Sequence, residues 1–186
     1  MNKDRIEYVL NAIFYCIWLR QVKFGLMCKR LFQCILSVTT KLFLTNERRD
    51  RFYFGYNKRQ IELSKYQFNK EYGLAINLAK DSFGLYTYFP FSIFSFASMG
   101  AFVRMFYDIN LIVFIVISAV PLIASDILVR KTVYKNKRYL KYFEKFEKED
   151  DKWHKKWKRR TRIFTLASLL SLAISILSGF AILTFT

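Results

Sequence analysis

The chain has 186 residues, of which 53% are hydrophobic and 19% aromatic, and it carries a formal net charge of +17. These properties are segregated, because long uncharged apolar runs alternate with basic stretches, which argues against an ordinary soluble domain. Only two prolines and six glycines interrupt the chain, which excludes a many-stranded sheet. We therefore expect an all-α integral membrane protein with three spans.

Residues 1–46 are predicted to form amphipathic helices that lie in the headgroup region of the membrane. An apolar helical face is followed, after the basic residues from Arg20 to Arg30, by a second apolar stretch at 31–44. The alternative is a fourth span within residues 24–45, which would place the N-terminus outside. The start of the chain is charged and has no small-residue cleavage site, so we expect no cleavable signal peptide. The first face consists of Ile6, Val9, Leu10, Ile13, Phe14 and Ile17.

Residues 47–82 are predicted to be a cytoplasmic helical segment. A charged turn is expected at Glu47 to Arg51, and a membrane-docked loop at Phe52 to Phe54. A helix from Arg59 to Lys80 follows, with Gly73 as its weak point.

Residues 83–129 are predicted to be a transmembrane hairpin with spans at 83–103 and 109–129. The first span is uncharged and, at about 1.5 Å per residue, reaches roughly 31 Å, which matches a bilayer core. The connection from Arg104 to Asp108 is so short that the two helices must be antiparallel. Asp126 lies one turn before Arg130, and we expect the two to pair at the membrane surface.

Residues 130–162 are predicted to form a basic cytoplasmic stalk, and the name stalk is kept for this segment. The chain must turn back towards the membrane here, and we place the reversal at Glu147 to Asp151, with Asp150 or Asp151 as the N-cap of the returning helix. The expected helices are roughly 109–146 and 152–185. Their facing aromatic residues would form an antiparallel core or, alternatively, a docking face for a partner. These residues are Tyr139, Phe143, Phe146, Trp153 and Trp157.

A dense basic cluster precedes the last span. Its position next to a membrane favours contact with anionic lipid headgroups and a role in topology. A cytoplasmic protein partner is the alternative, and nucleic acid is not expected. The cluster consists of Lys152, Lys155, Lys156, Lys158, Arg159, Arg160 and Arg162, interleaved with Trp153 and Trp157.

Residues 163–186 contain the third predicted span, at about 163–185, and they carry no charge. Residues 1–82 hold 15 lysines and arginines, the hairpin tip holds one, and the stalk holds the other 15. The positive-inside rule then places the N-terminus in the cytoplasm and the C-terminus outside.

Serines recur on the predicted spans. They are expected either to let helices pack closely through hydroxyl hydrogen bonds or to line a polar path in a homo-oligomer. The set consists of Ser92, Ser95, Ser118, Ser125, Ser168, Ser171, Ser175 and Ser178. Pro121 is expected to bend the second span.

Groups that carry chemistry are sparse. One histidine, His154, rules out a two-histidine metal site within one chain, and Cys16, Cys28 and Cys34 lack metal-ligand spacing. We expect no catalytic residue, no metal and no cofactor.

The expected function is that of a non-enzymatic, oligomeric pore-forming or membrane-perturbing effector, or an accessory subunit, in the bacterial inner membrane. In architecture alone the arrangement resembles small bacterial defence effectors that join a membrane hairpin to a helical cytoplasmic region. The first alternative is a membrane anchor or scaffold that recruits a cytoplasmic partner through the stalk. A lipid-modifying enzyme is the least favoured class.

Overall fold

A computed structural model describes residues 3–105 and 111–184, and all of its regular structure is helical. The all-α prediction is confirmed, with no strand among the described residues. The helices are α1 (Lys3–Phe43), α2 (Asn46–Gln67), α3 (Leu74–Met105), α4 (Leu111–Val129), α5 (Arg138–Glu147) and α6 (Asp151–Thr184).

The chain divides into two compact units. The first contains Met1–Cys16 together with Asp81–Thr186, and the second is Ile17–Lys80. The first is a helical bundle built from the start of α1 and most of the C-terminal two thirds of the chain. The second is described by itself below.

The second unit is an antiparallel pair made by the C-terminal part of α1 and by α2. The Thr40 hydroxyl lies 2.8 Å from the Tyr53 hydroxyl near the connecting turn. At the other end, a Cβ added at Gly25 would meet the Gln67 side chain at 2.8 Å, so this glycine permits a close approach.

Three predictions for this region are wrong. The basic residues between Arg20 and Arg30 interrupt the apolar face of α1, but lysine and arginine are good helix formers, and the helix continues unbroken for 41 residues. Residues 47–54, predicted as a turn and a loop, lie inside α2. The predicted helix 59–80 is also interrupted, because α2 ends at Gln67 and α3 begins at Leu74. The break confirms Gly73 as a weak point.

In the first unit, α3 and α4 contain the two predicted hairpin spans, with Pro90 and Pro121 inside them. Residues 106–108 of the predicted tip lie outside the described residues, as does the side chain of Arg104. The predicted pairing of Asp126 with Arg130 is confirmed, since the Arg130 Nε lies 2.6 Å from an Asp126 carboxylate oxygen, and its position at a membrane surface stays a prediction. That hydrogen bond raises the pKa of Arg130.

The predicted continuous helix 109–146 is wrong. After α4 the backbone forms a π-helical turn at Arg130–Tyr134 and a short 3-10 turn at Lys135–Lys137. Asn136 and Lys137 have φ angles of 54° and 52°, in the left-handed region that ends a helix. Asn tolerates this conformation better than most residues, but no glycine or proline marks the break in the sequence.

The predicted reversal is confirmed. Helix α5 ends at Glu147 and α6 begins at Asp151. The backbone amide of Trp153 donates a 2.8 Å hydrogen bond to the Asp150 carboxylate, so Asp150 is the N-cap.

By length and composition, one helix of the described residues is able to cross a membrane, within Asp151–Ser178 of α6. This segment overlaps the predicted C-terminal span. The two hairpin spans stay predictions.

Candidate functional site

The stalk has an aromatic core. Tyr139, Phe143 and Phe146 on α5 are buried. Phe146 stacks on Trp153 of α6 with ring centroids 4.7 Å apart, and Trp153 lies 5.9 Å from Trp157. The predicted antiparallel aromatic core is therefore confirmed, and its rings are not an open docking face.

A third element, the start of α1, completes this core. The Phe14 ring is fully buried and lies 5.6 Å from the rings of both Tyr139 and Phe143. Tyr8 lies 5.4 Å from Phe146 and 5.8 Å from Trp157. We call this assembly, residues 4–16 with the stalk, the aromatic head.

This packing corrects the prediction that the apolar face from Ile6 to Ile17 lies in the headgroup region, as far as Ile13 and Phe14 are concerned. Ile13 and Phe14, from the predicted apolar face, are 5% and 0% exposed. Side chains so enclosed by protein cannot also enter lipid. The periodicity identified the right face of the helix but not the surface that it contacts.

Polar contacts fix the position of α1 in the head. The Arg138 guanidinium donates a 2.7 Å hydrogen bond to the Glu7 carboxylate, and the Tyr142 hydroxyl donates one of 3.3 Å. The Asn11 amide nitrogen donates to the Thr132 carbonyl at 3.2 Å, close to the π-helical turn. The Trp153 indole donates to the Tyr8 hydroxyl at 2.9 Å. Of these residues, only Trp153 was predicted to have a role.

Burial within the head opposes ionisation. It raises the pKa of Tyr15 to about 12, and the negative charge of Glu147 contributes. Burial also raises the pKa of the Cys16 thiol, against the opposing effects of a Thr161 hydrogen bond and the Lys158 charge. A thiol is reactive mainly as the thiolate, so Cys16 is poorly suited to nucleophilic chemistry.

The basic cluster lies on the outside of the head. All of its cationic side chains are exposed, whereas Trp153 is half-buried and Trp157 is 4% exposed. The guanidinium of Arg160 lies 4.9 Å from the centre of the Trp157 ring, in a cation–π contact. The cationic groups of the cluster are therefore exposed while its indole rings are at least half-buried, and Arg160 packs against one of those rings.

The serines mostly lie between helices of the chain. The Ser92 hydroxyl of α3 and the Ser175 hydroxyl of α6 are 2.9 Å apart, and both residues are buried. Ser95, Ser125 and Ser168 are buried as well. Ser171 and Ser178 are half-buried, and the side chain of Ser118 lies outside the described residues.

These hydroxyls are hydrogen-bonded within the protein. Ser175 reaches the Ser171 carbonyl at 2.7 Å and Ser92 reaches the Phe89 carbonyl at 2.7 Å. Since each hydroxyl has one proton, one serine of the pair donates to its partner while the other donates to its own helix. This geometry fits close packing of α3 against α6.

Within residues 3–105 and 111–184, no group of three His, Cys, Asp or Glu residues is placed to hold a metal ion. Comparison of the chain with protein-family models, curated proteins and solved structures finds no match.

Proposed function

We propose that this chain is a non-enzymatic, multi-span membrane protein that acts as an anchor or accessory subunit. Its α3–α4 hairpin and the C-terminal part of α6 would be embedded in a cell membrane, as in the bacterial inner membrane. The aromatic head would lie on the cytoplasmic side and hold a partner protein at the membrane surface.

The observation that carries this proposal is the change of surface along α6. From Lys152 to Arg162 its exposed side chains are basic, and from Ile163 onwards they are apolar. Leu166, Leu170 and Leu177 are each at least 60% exposed. Exposure of these apolar side chains to water is unfavourable in free energy, whereas contact with lipid is favourable. Residues 163–184 form about 33 Å of helix, enough for a bilayer core.

The hairpin supports the proposal in the same way. On α4, Ile112, Ile115, Val120 and Ile123 are each at least 55% exposed. The exposed Asp126–Arg130 pair follows these residues, where a membrane surface would lie. The two hairpin spans would then connect the head to the same membrane as α6. The distribution of lysine and arginine would place the N-terminus and the stalk in the cytoplasm.

The second unit would contribute contact with the membrane interface. Along α1, Phe24, Leu31, Ile35 and Leu42 are all more than half exposed, at helical spacing. This apolar stripe lies beside basic residues, which is typical of a helix at the headgroup boundary. A span through residues 24–45 remains the alternative.

Cysteine labelling tests the topology. In a chain with C16A, C28S and C34S, we expect K148C to react with an impermeant maleimide only from the cytoplasmic side and T186C only from the outer side. Sodium carbonate should leave the chain in the membrane. Labelling of both positions from one side would contradict the orientation, and extraction by carbonate would contradict membrane insertion.

The mass of the detergent-solubilised particle tests the anchor function. An anchor subunit should purify with a defined protein partner after crosslinking in cells. Reversal of exposed charges on α5, in K141E/K145E, should reduce that recovery, while K58E/K65E on α2 serves as the matched control. A homo-oligomer without other proteins would contradict the anchor function.

A pore-forming or membrane-perturbing oligomer is the second candidate, and the half-buried hydroxyls of Ser171 and Ser178 favour it. If they line a polar path between copies, S171L/S178L should abolish ion leakage from vesicles without preventing insertion. The control is A173L, an exposed position on a different face of α6. Unchanged leakage in S171L/S178L would exclude this role of the serines.

A further inference from the structure

A groove lies at the junction between the head and the apolar part of α6. Its volume is about 520 Å³, and we call it the basic groove. It is lined by Lys155, Lys156, Arg159, Arg160 and Ile163. Four cationic side chains and one apolar side chain on one face of α6 thus line this open groove, at the point where α6 becomes apolar.

The charge in this groove is uncompensated. From Lys152 to Thr186 the sequence contains no Asp or Glu, so α6 itself offers no carboxylate to its cations. Within the described residues, no carboxylate forms an ion pair with Lys155, Lys156 or Arg159. Lys155 and Arg159, like Lys156 and Arg160, are spaced i,i+4, where like charges repel. A bound anion would relieve this repulsion.

The chemistry of the groove selects the class of anion. Trp153 and Trp157 are engaged in the aromatic core and are not available to stack on bases, which disfavours nucleic acid. Ile163 belongs to the rim and begins the apolar run, so a ligand here can place phosphate against the cations and hydrocarbon against α6. An anionic phospholipid has both parts.

We propose that the basic groove binds the headgroup of an anionic phospholipid, with preference for a lipid that carries two phosphates. Arg159 can form paired hydrogen bonds to one phosphate, and Lys155 and Lys156 supply point charges to both. Arg160 is held against Trp157, which leaves it pre-oriented beside the groove. This inference rests on the proposed function, since it requires α6 to lie in a membrane.

The first test measures lipid stabilisation of the full chain in a neutral detergent. Thermal unfolding midpoints are compared on adding phosphatidylcholine, phosphatidylglycerol or the two-phosphate lipid diphosphatidylglycerol. A ligand that binds the folded state raises the midpoint more the tighter it binds, so we expect the increase to follow the net negative charge of the headgroup, smallest for zwitterionic phosphatidylcholine and largest for diphosphatidylglycerol. Equal shifts for all three lipids would contradict the proposal.

The second test removes the charges. In K155Q/K156Q/R159Q the apparent affinity for diphosphatidylglycerol should fall on the order of 100-fold, because each basic residue near the surface contributes about five-fold. Arg160 is left intact because it packs on Trp157. The control K135Q/K141Q/K148Q removes the same charge from exposed residues elsewhere on the stalk and should change affinity by less than about five-fold. Equal losses in both variants would show diffuse attraction and overturn the proposal.

Two soluble ligands test whether the groove binds a free phosphate compound or a nucleic acid instead of a lipid. Inorganic pyrophosphate and a short single-stranded oligonucleotide, at matched phosphate concentration, should not raise the midpoint of the wild-type chain. If either stabilises the chain as much as the lipid does, the lipid assignment is wrong.

Native mass spectrometry of the wild-type chain, purified with an equimolar mixture of the three lipids, measures which lipid stays bound and needs no variant. If the bound lipids have the same proportions as the mixture, the preference for a two-phosphate lipid is wrong. Carbonate extraction of the membranes from which the chain is purified separates the two proposals. An inserted chain without lipid selectivity overturns the basic groove alone, whereas an extractable chain overturns the membrane function.

Discussion

At the residue scale, the position of Glu7 explains how a short N-terminal segment is held on the stalk. The Glu7 and Arg138 side chains are 16% and 33% exposed, so their ion pair is partly shielded from solvent. The Tyr142 hydroxyl also donates to this carboxylate. One side chain therefore joins α1 to α5 through two contacts, and both depend on its charge or its acceptor oxygens.

Glu7→Gln should therefore destabilise the head by about 1–3 kcal/mol, the range for a hydrogen bond to a charged group. The control is Asp126→Asn, which breaks an exposed pair with Arg130 and should cost less than about 1 kcal/mol. Denaturant unfolding of both variants in detergent measures the difference. If Glu7→Gln costs no more than Asp126→Asn, the Glu7 pair is not a significant part of the packing.

Tyr15 makes stability depend on alkaline pH. Its pKa is raised to about 12 by burial and by Glu147, so between its ordinary value near 10 and about 12 the folded state keeps a proton that the unfolded state has lost. The stabilisation is complete below pH 10 and disappears as pH rises towards 12. Unfolding midpoints should fall over this window, and Tyr15→Phe should make the fall shallower.

The remaining slope in Tyr15→Phe is expected because burial also raises the pKa of Tyr134 and of Tyr142. Phenolate absorbance, followed with the unfolding signal, identifies the ionisation. The same slope in wild type and in Tyr15→Phe would contradict a role for this hydroxyl.

At the scale of elements, local patterns in the sequence predicted α6 and its N-cap correctly, because these depend on neighbouring residues. Breaks and continuations were predicted less well. At Asn136 and Lys137 the backbone is left-handed, although no glycine or proline in the sequence indicates a break there. Conversely, α1 continues through a basic stretch that interrupts only its apolar face. Side-chain polarity predicts which face is buried better than it predicts where a helix stops.

Gly73 and Gly55 differ in whether the structure leaves room for a side chain, so alanine substitutions at the two positions can be compared. A Cβ at Gly73 would lie 2.5 Å from the backbone oxygens of Asn69 and Tyr66, which cannot move aside without distorting the turn. A Cβ added at Gly55, inside α2, would meet no atom within 4 Å apart from its chain neighbours and the local helix backbone. Gly73→Ala should destabilise the second unit by about 1–3 kcal/mol, and Gly55→Ala should stabilise it by about 0.4–1 kcal/mol.

Hydrogen exchange across residues 60–80, together with the unfolding midpoint, measures both effects. A neutral Gly73→Ala would mean that the turn between α2 and α3 adapts, and the glycine would then have no steric role.

At the scale of the whole molecule, the packing of the chain's first residues against the stalk could not be predicted. Phe14 and Phe143 are far apart in the sequence, and no local pattern reports a contact between them. An amphipathic face can be buried against lipid or against protein, and its periodicity is the same in both cases. The serines were similarly ambiguous, and the hydrogen bond between Ser92 and Ser175 favours packing.

Phe14→Ala tests whether the head is the structural centre of the first unit. The Phe14 ring is fully buried and lies 5.3 Å from Phe83 on α3 as well as against α5, so its removal leaves a cavity between three helices. We expect a loss of about 3–5 kcal/mol and faster proteolysis of residues 1–16. Phe54→Ala is the control, because that ring is 81% exposed and its loss should cost little.

If residues 1–16 were instead held by lipid, Phe14→Ala would weaken membrane association and leave unfolding in detergent unchanged. Unfolding in detergent and binding to vesicles, measured on the same two variants, therefore decide between a protein core and a lipid interface for the start of the chain.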